Sequence, residues 1–470
     1  MLDSQSSPQH GSRGSVAAIS AAAHRVLAEE TATFVDRHPR SKAVFDDTSS
    51  GFLNQVPLHW MRDWPMPFPM VLATAKGSDV TDIDGNAAVD FCLGDTGAMF
   101  GHGPGAILDA LARTAEIGLT TMLPSGDVGV VGRLLSQTFG LSRWQVTATA
   151  SDANRFAFRV ARAVTGRRKI LVFDGCYHGA ADETLVDLED GRTVGRENLL
   201  GQAVDLAETT VCIPFNDLPA LEAALATGEI AAVVAEPVMT NCGMILPQAG
   251  FHTALRELTR AHGTLLHIDE THTISTGLGG YTKTHGLEPD ILVVGKPVGG
   301  GVPVAVWGMT EAIAGRLDAV RASKSGIGHS GIGTTLSGSA LQLACLRACL
   351  ETVMTGAAYE TMNGLADKIE AGFSAAIEDA GLPWHVSRVG ARLEVVFTPS
   401  LVRNAAEARA AAIPVVQKAI HLALLNRGYL LTPFHNMVLV APTTSEPQVA
   451  GLVAGFAQIL SRLTAGAVAK

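Results

Sequence analysis

The stretch ILVVGKPVGGGVP, residues 291–303, decides the fold class of this 470-residue chain. Its apolar residues 291–294 predict a short buried strand that leads through Gly295 to Lys296. The glycines that follow let backbone approach a ligand closely. Burial at such a strand end disfavours the ammonium form of a lysine and favours a nucleophilic amine. Lys296 is therefore the first candidate for covalent chemistry.

A phosphate-binding P-loop is the alternative interpretation of Gly295-Lys296. That motif requires a glycine five positions before Gly295 and a serine or threonine directly after the lysine. The chain has Asp290 and Pro297 at those positions. The P-loop interpretation therefore fails.

Apolar runs alternate with a helical pattern on the amino-terminal side of this stretch. Residues 230–235 and 264–268 are apolar runs, and residues 251–261 between them have helical spacing. Such alternation, from about residue 100 to 345, predicts βαβ units and a mostly parallel sheet, which is an α/β fold.

Three ionisable residues, Glu236, Asp269 and Lys296, fall at the carboxyl ends of these predicted strands. Ligands bind at that edge in open α/β sheets. Strand ends also tolerate charge simply because they face solvent, so position alone does not identify a site. The glycine-rich turn after Lys296 favours the functional interpretation.

The sequence predicts four segments along the chain. Residues 1–14 are rich in Ser, Gly and Gln and are expected to be a disordered tail. The remainder is predicted to contain an N-terminal helix (15–37) within a first small-domain segment (15–95), strands at 70–75 and 79–82, a large domain (96–345), and a C-terminal α+β segment (346–470) with strands at 393–397 and 438–440 and a last helix that starts near 444–447.

Composition excludes several classes of function. A formal net charge of −10 argues against nucleic acid as a partner, because phosphate binding requires a basic surface. The six cysteines form no C-x-x-C pair and are interpreted as reduced thiols. Gln458 and Arg462 interrupt the apolar stretch 449–469, which favours an amphipathic helix over a membrane span. With no visible signal peptide, we expect a soluble cytoplasmic protein without a metal site.

Several short patches, in this order along the chain, resemble the class III aminotransferases, a pyridoxal 5'-phosphate (PLP) family of fold type I that includes the glutamate-1-semialdehyde aminomutase branch. They are DIDGN (82–86), GHGP (101–104), YHG (177–179), EPV (236–238) with Asn241 and Gly243, IDE (268–270), GKPVGGGVP (295–303) and TLSG (335–338). The resemblance covers about residues 45 to 460 and implies a large PLP-binding domain, a small α+β domain and a homodimer with shared active sites.

The resemblance implies a role for each matched residue. Asp269 would pair with the pyridine nitrogen of PLP, and Lys296 would form the Schiff base and then move the proton in the 1,3-shift. Further implied cofactor contacts are Ala150 and Ser151 at the phosphate, Tyr177 stacked on the ring, His178 and Glu236 beside it, Asn241 and His272 at the ring hydroxyl, Thr271 at the other ring face, and Thr335 at the phosphate across the dimer interface.

The phosphate loop departs from the family pattern. The family's Ser-Gly-Thr-Glu-Ala aligns with residues 149–153, so that Ala150 replaces glycine. Ser151 and the backbone donors at a helix start still suit a phosphate. Asp152 would repel a phosphate, and we expect its side chain to point away as the N-terminal cap of the helix.

The residues around the substrate favour one class of amine. Thr432 stands where many family members have an arginine for the substrate carboxylate, and the aromatic residues around Trp60 lie where the family lines its entrance. These features predict a transaminase that moves an amino group from an apolar amine or β-amino acid to a keto acid or aldehyde. Arg62 and Arg392 are candidates for binding a carboxylate.

Two alternatives stay open. One is an aminomutase of the glutamate-1-semialdehyde type, or an amino-acid racemase, on the same cofactor. It is weakened because His435 replaces a glutamate of the aminomutases and their early Asn-Ser-Pro-Val-Arg motif is missing. The other is a catalytically silent PLP-fold binding protein, against which the presence of Asp269 and Lys296 argues.

Overall fold

The structure of the chain, a computed structural model, describes residues 10–49, 51–324 and 330–465. Its helices are α1 (His10–Arg37), α2 (Pro39–Asp46), α3 (Gly105–Ile117), α4 (Val128–Phe139), α5 (Ala150–Thr165), α6 (Leu218–Ala226), α7 (Phe251–Ala261), α8 (Gly280–Thr284), α9 (Glu311–Ala322), α10 (Ala340–Ala348), α11 (Gly356–Asp379), α12 (Ala405–Ala411), α13 (Pro414–Asn426) and α14 (Glu446–Thr464). Its strands are β1 (Leu72–Lys76), β2 (Asp79–Asp82), β3 (Ala87–Asp90), β4 (Arg143–Thr147), β5 (Lys169–Phe173), β6 (Val186–Glu189), β7 (Arg192–Gly195), β8 (Thr210–Ile213), β9 (Ile230–Ala235), β10 (Leu265–Asp269), β11 (Ile291–Val294), β12 (Ala305–Met309), β13 (His385–Val389), β14 (Arg392–Val396), β15 (Tyr429–Leu430) and β16 (Val438–Leu439).

A seven-stranded sheet in the order β4-β12-β11-β10-β9-β5-β8 positions the site. Strands β11, β10, β9, β5 and β8 are parallel, and β12 runs antiparallel to both of its neighbours. Every residue of β9, β10 and β11 is buried, which explains why these strands are apolar on both faces rather than alternating. The predicted mostly parallel α/β sheet is confirmed.

Several predicted elements have the bounds that their patterns indicated. Strands 79–82, 230–235 and 291–294 and helix 251–261 are confirmed residue for residue. The other predicted strands lie within one or two residues of their expected bounds. Ser445 caps α14 in a capping box with Gln448, which confirms the predicted start of the last helix.

The two ends of the chain build further sheets. Strands β1, β2 and β3 form one sheet with β15 from the C-terminal part, and β13, β14 and β16 form another. An apolar cluster joins α1 to α11, α13 and α14 around buried side chains that include Phe373, Leu424 and Phe456. This arrangement agrees with a small domain assembled from both ends.

Two predicted boundaries differ from the structure. Helix α1 begins at His10, so residues 10–14 belong to the helix instead of a disordered tail, while residues 1–9 lie outside the described residues. Helix α10 crosses the boundary predicted at residue 345, because its apolar face continues into the same core as the central sheet. A division at Thr355, the cap of α11, follows this packing better and stays a proposal.

Across the described ranges, no single helix is both long and apolar enough to cross a membrane. One pair, α12 with α13, passes that test only when its two members are taken together, and it is bent by 71°.

Candidate active site

The carboxyl ends of three neighbouring parallel strands define the site. Asp269 is the last residue of β10, Glu236 directly follows β9, and Lys296 follows β11 after Gly295. Since β9, β10 and β11 are adjacent and parallel, these three residues emerge at one edge of the sheet. The structure thus places the three ionisable residues at the sheet edge where ligands bind in such folds.

Asp269 is held as a carboxylate by three donors. Asn154 Nδ2 and His178 Nδ1 donate to Oδ2 at 2.9 and 3.0 Å, and the backbone N–H of Thr271 donates to Oδ1 at 3.0 Å. Burial would raise the pKa of Asp269, but the hydrogen bonds from His178, Thr271 and Asn154 outweigh it and hold the pKa well below its ordinary value. The site therefore keeps a buried negative charge at neutral pH.

Lys296 occupies a strained backbone position. Its φ of 50° lies in the left-handed region, which residues with a side chain rarely adopt, and it begins a 3₁₀ turn, Lys296–Gly299. Gly295 before it packs against the start of α5, because a Cβ there would lie 2.8 Å from the Cβ of Ala150. The turn therefore aims the lysine side chain into the site while the backbone meets α5.

The Nζ of Lys296 lies between two acceptors. It donates to Oδ2 of Asp95 at 2.7 Å, and it contacts Nε2 of His272. Burial and the nearby charge of Lys296 lower the pKa of His272. The imidazole is therefore neutral at neutral pH, and one of its nitrogens carries no proton.

A hydrogen-bond chain selects the tautomer of His272. Oγ1 of Thr240 donates its one proton to Oε2 of Glu236 at 2.6 Å, and the same carboxylate also accepts from the N–H of Thr240 and from Asn241 Nδ2. Oγ1 can then only accept from Nδ1 of His272, 2.6 Å away. Nε2 is left as the unprotonated nitrogen, and it accepts from Lys296.

Asp95 extends this cluster towards the small domain. Arg392 lies with NH1 at 3.8 Å from Oδ1 of Asp95, and its NH2 donates to Oγ1 of Thr96. The partly buried setting of Asp95 would raise its pKa, but Lys296, His272 and Arg392 hold that pKa well below its ordinary value. Asp95 is therefore an ionised carboxylate beside the candidate lysine.

The start of α5 forms the predicted phosphate loop, with one correction. The cap of α5 is Thr149, whose Oγ1 accepts from the N–H of Asp152 at 3.2 Å, so the expectation that Asp152 is the cap was wrong. The physical reason is that Thr149 has the extended backbone of a cap, whereas Asp152 already lies inside the helix. Ser151 Oγ accepts from the N–H of Ala180 at 3.0 Å, which ties the loop after β5 to this helix start.

Two aromatic rings lie together on the side of Tyr177. Tyr177 is half-buried, and its ring meets Trp60 edge-on with centroids 5.8 Å apart. Trp60 is 41% exposed, so it lines an opening rather than a core. Since the next residue, His178, bonds Asp269, the structure brings Trp60 to the mouth of the site.

The two arginine candidates have different surroundings. Arg62 is exposed, donates to Asn54 O and to Gln55 Oε1, and lies over the ring of Phe45. Arg392 is 1% exposed and contacts the Asp95 cluster, and burial lowers its pKa. The predicted binding of a substrate carboxylate by either arginine stays a prediction; in this structure each guanidinium already has protein partners.

The remaining predicted residues divide into two groups. Asn241 lies in the Glu236 network, and its carbonyl oxygen accepts from Nε2 of His435 at 3.2 Å. Thr335 is exposed in this single chain and lies apart from the contacts described above. Its predicted reach across a dimer interface stays a prediction.

The sequence did not indicate three residues that build the site: Asn154, Thr240 and Asp95. Asn154 lies one helical turn after Ser151, on the face of α5 that meets Asp269. Thr240 lies four residues after Glu236, a spacing that brings its hydroxyl to the carboxylate. The only signal for Asp95 was its place between Gly94 and Gly97.

Comparison with known proteins places these features in one family. Residues 61–460 match the family Aminotransferase class-III. Glutamate-1-semialdehyde 2,1-aminomutase of Sorangium cellulosum (strain So ce56) is 36% identical over 407 residues, which cover 85% of this chain and 90% of that protein.

Solved structures agree with this match. The crystal structure of a glutamate-1-semialdehyde-aminomutase from Pseudomonas aeruginosa PAO1 has a TM-score of 0.92 and 48% identity, covering 94% of this chain and 99% of that one. A lysine-to-alanine variant of that protein has been solved in complex with PMP. An omega-transaminase from Sphaerobacter thermophilus has a TM-score of 0.82 and 25% identity, covering 91% and 99% of the two chains.

Proposed function

Because the chain belongs to the class III aminotransferase family, whose members are PLP-dependent enzymes of fold type I, we propose that it moves an amino group between neighbouring carbons of one substrate, as an aminomutase of the glutamate-1-semialdehyde type. The observation that carries the proposal is the 48% identity, over 94% of this chain, to a protein of that name.

The residues at the sheet edge fit PLP. The ionised Asp269 suits a protonated pyridine nitrogen, and the donors at the start of α5 suit a phosphate. Within the described residues, Nε2 of His178 and Oγ1 of Thr271 are buried without a hydrogen-bond partner, as expected beside a polar group that binds there. When bound, PLP supplies an electron sink and a carrier for the amino group.

The reaction requires two exchanges on one substrate. The aldehyde carbon gains an amino group and loses its oxygen as water, and the neighbouring carbon gives up its amino group and gains oxygen from water. A 1,2-diamine lies between the two steps. Lys296 is proposed to move the proton at the reacting carbon, and Nε2 of His272 accepts a hydrogen bond from its Nζ and keeps that atom in place.

This proposal replaces the transaminase of apolar amines as the leading interpretation. The prediction from sequence relied on the absence of family residues, namely an arginine at Thr432 and a glutamate at His435. Thr432 is buried, and its N–H donates to Met437 O at 3.2 Å, while His435 donates to Asn241 O. Both positions serve the packing of the site wall, so their identities say little about the substrate.

One observation still favours a transaminase of apolar amines as the second candidate. The exposed Trp60 and the half-buried Tyr177 form an aromatic edge at the mouth of the site. Such an edge stabilises an apolar group that would otherwise meet water.

One assay distinguishes the candidates. The purified enzyme, loaded with PLP or PMP, is given glutamate-1-semialdehyde alone, and 5-amino-4-oxopentanoate is quantified by mass spectrometry. In parallel, 1-phenylethylamine, β-phenylalanine and 4-aminobutyrate are offered with pyruvate. Isomerisation without a second substrate supports the aminomutase. Amino transfer from the aromatic amines with no isomerisation supports the second candidate, inversion of the amino-acid centre a racemase, and no change in the cofactor absorbance a silent binding protein.

A homodimer is also part of the proposal. Thr335 and its neighbours Thr334 and Leu336 are exposed in the single chain, as expected of a segment that meets a second copy. Of the glycine-rich stretches predicted to approach a neighbour, residues 325–329 lie outside the described residues. Sedimentation that shows a fully active monomer at nanomolar concentration contradicts this part.

A further inference from the structure

We infer that Asp95 binds the second amino group of the substrate, so that the site selects molecules with an ammonium group on the carbon next to the reacting carbon. This inference rests on the proposed function, because an amino group that moves between neighbouring carbons passes through a 1,2-diamine. One of its two nitrogens reacts, and the other requires a partner.

A rigid turn presents this carboxylate. Leu93, Asp95 and Thr96 have φ values of 49°, 49° and 86°, which are disfavoured for residues with a side chain. Oδ1 of Asp90 holds the turn by accepting from the N–H groups of Cys92 and Leu93 at 2.8 and 2.7 Å. Backbone of this kind persists where the surroundings impose it, and it occurs preferentially at functional sites.

The two oxygens of Asp95 differ in their partners. Oδ2 accepts from Nζ of Lys296 at 2.7 Å, whereas Oδ1 has no hydrogen-bond partner among the described residues. The side chain is 36% exposed, in contrast to the buried Arg392 and His272 around it. The carboxylate therefore faces the cavity of the site with one oxygen available to a ligand.

The charges around Asp95 favour a cationic ligand. Its strong partner is the ammonium of Lys296, a group that changes protonation during the reaction. When Lys296 is not an ammonium, the nearest remaining guanidinium nitrogen, on Arg392, lies 3.8 Å from the carboxylate, beyond hydrogen-bond distance. A substrate ammonium replaces the lost partner, and a partly dehydrated carboxylate binds it through a charge-assisted hydrogen bond.

The variant Asp95→Asn tests the inference, since asparagine tolerates the left-handed backbone and removes only the charge. The PLP-loaded enzyme is given 4,5-diaminopentanoate and the analogue with a hydroxyl in place of one amino group, and conversion to the PMP form is followed by absorbance. We expect the wild type to prefer the diamine, and Asp95→Asn to lose about tenfold of that preference, as for one charge-assisted hydrogen bond.

A second readout uses the cofactor-free enzyme. Without the Asp95 charge, a larger fraction of Lys296 is neutral at a given pH, so Asp95→Asn should capture PLP about tenfold faster at pH 7. The matched control is Glu208→Gln, which removes an exposed carboxylate paired with Arg168 before β8, at the opposite end of the strands from Lys296. It should leave both readouts unchanged.

The outcomes separate this inference from the proposed function. If Asp95→Asn retains the wild-type preference for the diamine, Asp95 does not bind the second amino group, even where the wild type isomerises glutamate-1-semialdehyde. If the wild type does not isomerise that compound but Asp95→Asn still loses the diamine preference, the inference stands and the proposed function fails. Unchanged capture of PLP by Asp95→Asn also counts against the inference.

Discussion

Oγ1 of Thr240 lies 2.6 Å from Nδ1 of His272 and donates its proton to Glu236 on the other side. This order of donors leaves Nε2 of His272 as an acceptor for Lys296. A threonine that contacts neither end of the reaction thereby determines which face of the imidazole meets the lysine.

Replacing Thr240 by valine should reduce kcat about tenfold with little change in KM, because the shape is retained while two buried polar groups lose their partner, at about 1–3 kcal/mol. Steady-state kinetics and the pH profile of kcat measure the effect. Thr240→Ser keeps the hydroxyl and should restore most of the rate. Equal losses in the valine and serine variants would show that the methyl group, and not the hydroxyl, is important.

Asp269→Asn should leave PLP bound and lower kcat on the order of a hundredfold to a thousandfold, because a neutral amide no longer stabilises charge on the cofactor ring. Cofactor absorbance after gel filtration gives the occupancy, and single-turnover kinetics give the rate. Near-normal turnover in this variant would remove Asp269 from the electronic role.

Lys296→Ala should fold with nearly unchanged stability and lose turnover, because alanine bears the same left-handed backbone but offers no amine. Borohydride reduction of the wild-type holoenzyme, followed by peptide mapping, should attach the cofactor at Lys296 alone. Lys283→Ala is the control, since Lys283 Nζ donates to the backbone oxygens of Gln137 and Thr138. A reduced label on Lys283 or Lys324 would overturn the assignment.

Gly179→Ala should destabilise the loop after β5, because a Cβ there would lie 2.1 Å from Oγ of Ser151 and φ is 83°. Gly191→Ala is the matched control, with φ of 74° and open space around the added Cβ. The control loses about 1–2 kcal/mol for the backbone alone. Gly179→Ala should lose about 1–3 kcal/mol more and bind PLP more weakly, as measured by urea unfolding and cofactor titration. Equal losses in both would contradict the close packing on α5.

Stability should fall in mild acid because of buried histidines. Burial lowers the pKa of His267 to about 3, from an ordinary value of 6.5. Below pH 6.5 the unfolded chain therefore binds a proton that the folded chain refuses, and each such histidine lowers the free energy of unfolding by up to about 1.4 kcal/mol per pH unit until its folded pKa is reached. Above pH 6.5 this penalty is absent.

His267→Leu should flatten that slope, because it removes a fully buried imidazole beside Phe158. His252 and His421, whose pKa values burial lowers to about 4, should keep the remaining slope. Urea unfolding between about pH 7 and pH 4 measures it. The exposed His24 replaced by glutamine serves as the control. An unchanged slope in His267→Leu would show that this histidine is not the group responsible.

Local patterns predicted the centre of the fold well. Strands β9 and β11 and helix α7 have the predicted bounds because apolar runs and helical spacing depend on neighbours along the chain. The same patterns placed Glu236, Asp269 and Lys296 at strand ends, and the parallel order of the sheet then brought them together.

The residues that the sequence did not indicate depend on distant contacts. Asp95 meets Lys296 across 201 positions of the chain, and its turn has left-handed backbone at residues other than glycine, which no local pattern predicts. Asn154 and Thr240 look like ordinary polar residues until Asp269 and His272 are placed beside them. The substrate preference was misjudged for a similar reason, since Thr432 and His435 were interpreted without their packing.

The pairing of β15 with β3 has a consequence for biosynthesis. Tyr429 and Leu430 lie parallel to Val89 and Asp90, and Phe91 next to that edge donates to Leu430 O at 2.8 Å. A nascent chain that has not yet emerged past residue 430 therefore lacks the edge strand beside the turn that carries Asp95. Ribosome-stalled chains ending before residue 429 should accordingly be cut by protease within residues 72–96, whereas the released enzyme should resist. Until translation is almost complete, the amino-terminal strands wait for their partner, and the enzyme acquires its active-site carboxylate only at the end of synthesis.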